Sequence, residues 1–209
     1  MKKDEWNLTA NDMISHATVL IGAGSETTAG VLTAVTSFLL ENPDKLEKLK
    51  QEVRSSFKSQ EEVSLDAINS RLPYLVACTE EALRLYPQTG VPSLQISGDN
   101  SIICGIPVPQ KTVVGIWVWS MYRDPKLFAN PDEFQPERFI GDPQYANDDR
   151  DALNPFFTGM KDCVAVMELR LILAQIKYNF NMELQGDSRH CLKDQKNLFI
   201  VWDKPPFNV

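Results

Sequence analysis

Cys163 closes the run Pro155-Phe156-Phe157-Thr158-Gly159-Met160-Lys161-Asp162-Cys163 and directly precedes a strongly helical segment. A thiol at a helix N-terminus faces the positive end of the peptide dipoles, and the Lys161 ammonium adds to that field, so the thiolate is favoured. A thiolate ligates soft metal centres, haem iron among them. The competing reading is an inert buried cysteine. A second group, Ala23-Gly24-Ser25-Glu26-Thr27-Thr28, sits inside a long apolar stretch. Glycine costs a helix interior about 1 kcal/mol relative to alanine, and threonine hydroxyls can bond the carbonyl four residues back and bend the axis. The result is a local gap bordered by proton-carrying groups; close helix packing at Gly24, with Glu26 paired elsewhere, accounts for the same residues.

Two further groups are charged. Glu81 and Arg84, three apart, share one helical face among Ala82, Leu83 and Leu85, which suggests a partly buried pair in need of a third partner. Arg138, in the rigid turn Phe134-Gln135-Pro136-Glu137-Arg138-Phe139, can supply it through its planar donor fork. A solvated ion pair and a plain rigid turn are the alternatives.

Composition narrows the rest. The balance of 21 basic against 28 acidic residues gives −7, which argues against nucleic acid as a partner. Cys78, Cys104, Cys163 and Cys191 form no C-x-x-C pair, and with only His16 and His190 a histidine-based hydrolase has almost no candidates.

The elements that must position these groups are legible in outline. Candidate caps at 9–12 open a charge-poor helix over 9–40, too rich in Ser, Thr and Gly and burdened with Glu26 to read as a membrane span, and without a polar face, so that burial all round is expected. Asn42 and Pro43 start an amphipathic surface helix with Leu46, Leu49, Val53 and Phe57 inward, and no chemistry is expected of its charged side. Ser64 caps a short helix, and Pro73 opens another that runs to Tyr86, where Pro87 stops it. β-branched and aromatic residues at 94–96, 101–103 and 112–119 predict a small antiparallel sheet within 94–119. The stretch 122–155 is proline-rich and irregular, 164–180 is helical, and 197–202 reads as a last strand. The fold class is therefore mainly α with small antiparallel β-sheets. No signal peptide is expected, because the two lysines of Met1-Lys2-Lys3-Asp4-Glu5 are cancelled by two acids and no clean apolar block comes next.

Taken together, in this order and spacing, the four groups resemble the C-terminal half of a cytochrome P-450, a haem-thiolate monooxygenase, and the resemblance covers nearly the whole chain as one partial domain. Ala23 to Thr28 resembles the family's oxygen-binding helix, Glu81-Ala82-Leu83-Arg84 its Glu-x-x-Arg helix, and Pro136-Glu137-Arg138-Phe139 the loop completing an ion triad. Phe156-x-x-Gly159-x-Lys161-x-Cys163 resembles its cysteine loop, and Tyr122-Arg123-Asp124-Pro125 also stands where expected. The resemblance implies haem ligated by Cys163, with Phe156, Gly159 and Lys161 around it and Gly24 leaving room for dioxygen. It also implies proton relay by Glu26 and Thr27, a structural triad of Glu81, Arg84 and Arg138, a small hydrophobic substrate, an electron-donating reductase, and a membrane-anchored full-length parent.

The departures are specific. Lys161 replaces an arginine, and only Val164, Ala165, Val166 and Met167 separate Cys163 from Glu168, about four residues short of the family pattern. Four residues remove roughly 6 Å of helix and rotate later side chains by about 40°. Members of the family are more than twice as long. The chain alone is accordingly expected to expose apolar faces of its central helix and to be poorly soluble or partner-dependent, and a non-catalytic remnant with weak haem binding stands as the alternative function.

Overall fold

The structure is a computed structural model that describes residues 8–88, 94–156, 164–185, 188, 191–198, 201–203 and 205–209. Its axis is α1 (Ala10–Glu41), opened by a reciprocal cap in which Thr9 Oγ1 accepts from Asp12 N at 3.2 Å and the Asp12 carboxylate accepts from Thr9 N at 2.8 Å. Only the second half of α1 is covered. Val35 and Leu39 are wholly buried, whereas Val19, Leu20 and Ile21 are 68%, 72% and 70% exposed. Burial all round, expected from the missing polar face, is thus not what this chain builds; the exposed apolar face expected from its length is. The physical reason is reach. α2 (Pro43–Ser56), α4 (Pro73–Leu85) and α6 (Val164–Asn179) stack on α1, and its buried positions run from Gly30 to Leu39.

α2 carries Leu49 and Val53 into the core and ends at buried Phe57, as its spacing predicts. Two details differ. Asn42 does not cap α2 with its side chain; its Nδ2 donates backward to Phe38 O at 2.7 Å and so closes α1. The charged side is not idle either. The Glu52 carboxylate accepts from Tyr74 N at 2.7 Å and Leu75 N at 2.9 Å, capping α4, whose own Leu72 cannot. Burial raises the Glu52 carboxyl above its ordinary value, and these two N–H groups counter part of that. At the far end Arg54 donates to Lys177 O and Phe180 O at 3.3 and 3.1 Å, closing α6.

α3 (Leu65–Arg71) starts at Ser64, whose hydroxyl accepts from Ala67 N, and buries Ile68. Between α1, α2, α4 and α6 lies one core with Val35, Leu49, Ile68, Leu75, Ala82 and Leu173 at its centre. Complete burial of each large aliphatic chain is worth about 1.5–3 kcal/mol.

The strands are shorter than the β-branched runs suggest. β1 (Gln95–Ile96) pairs antiparallel with β4 (Val113–Val114), and β2 (Ile102–Ile103) pairs with β3 (Ile106–Pro107) around Cys104 and Gly105, both at positive φ. β5 (Lys196–Leu198) and β6 (Val201–Asp203) pair antiparallel, two strands where the sequence predicts one over 197–202. The 112–119 run yields only β4 before α5 (Val118–Met121) begins. Ile96, Ile102, Ile106 and Val113 are all exposed, so no second layer rewards their propensity. Between 122 and 155 the backbone is irregular apart from 3₁₀ turns at Pro136–Phe139, Pro143–Tyr145 and Arg150–Ala152.

Candidate functional site

α4 turns Glu81 and Arg84 inward, and the 3₁₀ turn after Pro136 brings Arg138 to them; all three are wholly buried. Arg84 uses all five of its N–H groups. Nε and one Nη2 hydrogen grip the Glu81 carboxylate at 2.8 and 2.9 Å, and the others reach Tyr122 O and Pro131 O at 2.6 Å and Glu133 O at 3.2 Å. Arg138 Nε donates to the same carboxylate at 3.1 Å, and its Nη2 to Ala129 O at 3.1 Å. The solvated-pair alternative is excluded by this burial.

The triad is in fact a tetrad. Two guanidiniums and one carboxylate would leave a buried positive charge, and Asp148, hydrogen-bonded to Arg138 Nη1 and accepting from Ala129 N at 2.8 Å, brings the sum to zero. The sequence gives no sign of this role, because Asp148 stands in the polar run Asn147-Asp148-Asp149-Arg150-Asp151.

From this cluster Tyr122 extends toward α1. Its carbonyl is held by Arg84, and its hydroxyl accepts from Asn154 N at 3.1 Å, at the start of the segment leading to Cys163. Arg123 caps the end of α4 through Leu85 O at 2.6 Å while lying 3.5 Å over the Trp119 ring. Burial first, and Arg84 second, lower its guanidinium to about 10.

Tyr122 and Asn154 line a cavity of about 240 Å³ that α1 and the start of α6 border as well, beside the contact of Val31 with Leu83 and Leu169. Its wall is mostly apolar, from Val31, Leu83, Val118, Phe156, Ala165 and Leu169, and its polar lip is Thr27, Thr28 and Gln88. Thr27 Oγ1 donates to Ala23 O at 2.7 Å, and Thr28 Oγ1 is buried without a hydrogen-bond partner among the described residues. An apolar cavity with one unsatisfied hydroxyl suits a mainly hydrophobic group that carries a polar atom.

Of the residues singled out from the sequence, Thr27 and Phe156 line this cavity, and Glu26 sits one residue from its lip on an exposed stretch. Gly24 is exposed, and a Cβ there would meet nothing within 4 Å, so close helix packing is not its role in this chain. Gly159, Lys161 and Cys163, with the junction before Val164, lie outside the described residues or at their edge. The glycine that packing does require is Gly30, which the sequence leaves unmarked: a Cβ there would stand 2.4 Å from the Gln88 side-chain amide.

A family model described as cytochrome P-450 matches residues 1–209. Curated relatives match along the same length. Cytochrome P-450 monooxygenase 1 of Neocamarosporium betae is 40% identical over 99% of this chain and 43% of its own length. Trichothecene C-15 hydroxylase of Fusarium sporotrichioides is 37% identical over 100% of the chain and 43% of its own length. Averantin hydroxylase of Dothistroma septosporum is 38% identical, again over 100% of the chain and 41% of its own. The chain therefore spans about two-fifths of the length of these relatives.

Proposed function

This chain belongs to the cytochrome P-450 family, and from that membership we propose that it forms the haem- and oxygen-handling part of a monooxygenase that inserts one atom of dioxygen into a small hydrophobic substrate. The observation that carries the reading is the apolar slot between α1 and α6 with the Thr27 and Thr28 hydroxyls at its lip. Val31, Ala165 and Leu169 would offer a haem an apolar wall, and Phe156, which lines the same cavity, stands seven residues before Cys163 in the sequence. Cys163 is the proposed thiolate ligand, with Lys161 as a counter-charge. Haem bound there supplies the redox centre at which dioxygen is activated.

The chain's own residues have distinct tasks in this scheme. Glu26, on the exposed face of α1, exchanges protons with water. Thr27 Oγ1 spends its hydrogen on Ala23 O and keeps its lone pairs for an incoming donor; it would relay a proton by accepting on a lone pair while its own hydrogen turns from Ala23 O to the next acceptor. The Glu81–Arg84–Arg138–Asp148 cluster touches no reacting atom and holds Tyr122 and Asn154 in place. Electrons come from a reductase, in line with the family.

The test is the carbon monoxide difference spectrum of the reduced chain after haem addition, beside Cys163→Ala. A strongly red-shifted Soret band that disappears in the variant is the expected result. A band that survives Cys163→Ala removes the ligand assignment, and no band in either protein favours the non-catalytic alternative.

A further inference from the structure

We propose that Gln88 is a positioning residue that docks on the backbone of α1 and holds the turn bearing Thr27 and Thr28 at the cavity. In the orientation that satisfies both ends, its amide donates from Nε2 to Thr27 O and accepts at Oε1 from Val31 N, each at 3.2 Å. A primary amide is the one ordinary side-chain group that sets a donor beside an acceptor as a peptide does; a carboxylate offers only acceptors and an aliphatic chain neither.

Three features converge on this contact. Gly30 immediately precedes Val31, and a Cβ on it would fall 2.4 and 2.8 Å from the two terminal atoms of the Gln88 amide and 2.9 Å from its Cδ, so glycine is what admits the amide. Gly22 and Gly24 on the same helix meet nothing within 4 Å. The base of Gln88 is fixed as well: Trp202 Nε1 donates to Pro87 O at 3.2 Å, and Arg123 holds Leu85 O. Finally, Gln88 lines the same cavity as Thr27 and Thr28. The turn so held begins where α1 loses its cover, with Glu26 exposed, Thr27 and Thr28 half-buried and Gly30 buried; Thr27 O and Val31 N are one i→i−4 step of the helix, and the amide gives each a second partner.

The significance for proton handling rests on the function proposed above, whereas the docking itself does not. Hydrogen exchange at the Val31 amide, followed in the chain without added haem, separates the two. Gln88→Leu and the near-isosteric Gln88→Glu are both expected to speed that exchange by roughly three- to tenfold. Gly30→Ala gives the sharper result, because alanine is the better helix former and by propensity alone would slow exchange; displacement of the amide speeds it instead. The double variant Gln88→Leu, Gly30→Ala is expected to exchange no faster than the quicker single variant. Slower exchange in Gly30→Ala, unchanged exchange in Gln88→Leu, or additive effects in the double variant would each overturn the docking. A missing carbon monoxide band leaves this measurement untouched and tells only against the monooxygenase reading.

Discussion

The two halves of α1 are one continuous helix in two different situations. From Gly30 to Leu39 it is gripped by three helices around a core with little solvent access; from Ala10 to Glu26 it has an N-cap and every residue is exposed. Both halves are rich in Val, Leu, Ile and Ala, so composition does not distinguish them. What differs is whether another element arrives. A helix satisfies its backbone bonds within itself, so α1 continues beyond its cover, but most of the stability of a helix comes from packing, and the bare half draws on little of it. The residues proposed to handle protons stand at the boundary between the two situations, with Glu26 on the bare side, Thr27 and Thr28 half-covered, and Gly30 buried just beyond them.

Removing the anchor of the packed side should erase the contrast. Arg84→Ala leaves the Glu81 carboxylate with one guanidinium and three loop carbonyls without donors, and loss of one partner from such a buried group costs about 3–5 kcal/mol. The expected outcome in urea is loss of the cooperative unfolding transition, with helical circular dichroism partly retained. A transition as steep and as late as that of the parent would show that the packed half does not depend on the cluster.

The packed side also contains a flaw that can be used to sharpen the contrast. Lys177 in α6 is 3% exposed, and its Nζ has no hydrogen-bond partner among the described residues. Burial lowers its ammonium to about 8 from 10.5, against a small opposing influence of the Cys78 thiol. Between those values the unfolded chain binds more protons than the folded one, so stability rises with pH from about 8 to 10.5, on the order of 3 kcal/mol in all. Lys177→Met should flatten that rise and be more stable than the parent at pH 7, as urea titrations across the interval would reveal. A variant with the parent's pH dependence would place the titration elsewhere.

The smallest effects compare the halves directly. Val35→Thr puts a hydroxyl into the core and should cost about 1–3 kcal/mol. Ile21→Gln, at a position 70% exposed, should change stability by less than about 0.5 kcal/mol while reducing self-association in light scattering. Equal destabilisation at both positions would mean that the first half of α1 is covered in solution.

Much of this was legible in the sequence, for identifiable reasons. Thr9, Ser64 and Pro73 mark helix starts through local chemistry, and Leu49, Val53 and Phe57 mark a buried face through spacing. Among apolar neighbours Glu81 and Arg84 hinted at burial and at a third partner, a solvated pair stayed open, and the resemblance singled out Arg138. Asp148 was not, since an aspartate in an acidic run looks the same whether it is solvated or neutralises a buried guanidinium. Glu52 and Arg54 were hidden in the same way: they cap helices other than their own, and no local pattern encodes a partner 22 or 123 residues away. Gly24 drew notice for the acid and alcohols beside it, while Gly30 matters because of a side chain that comes from beyond α4. Periodicity reports which face is apolar, and it is silent on what will press against it.

Arg84 gives three of its five donors to main-chain carbonyls, those of Tyr122, Pro131 and Glu133. A carbonyl oxygen is the one acceptor that every residue type carries. A clamp that reads only carbonyls fixes the path of the loop while asking nothing of its side chains, so positions such as 131 and 133 can drift in sequence without loosening the fold, provided the single arginine that gathers them stays.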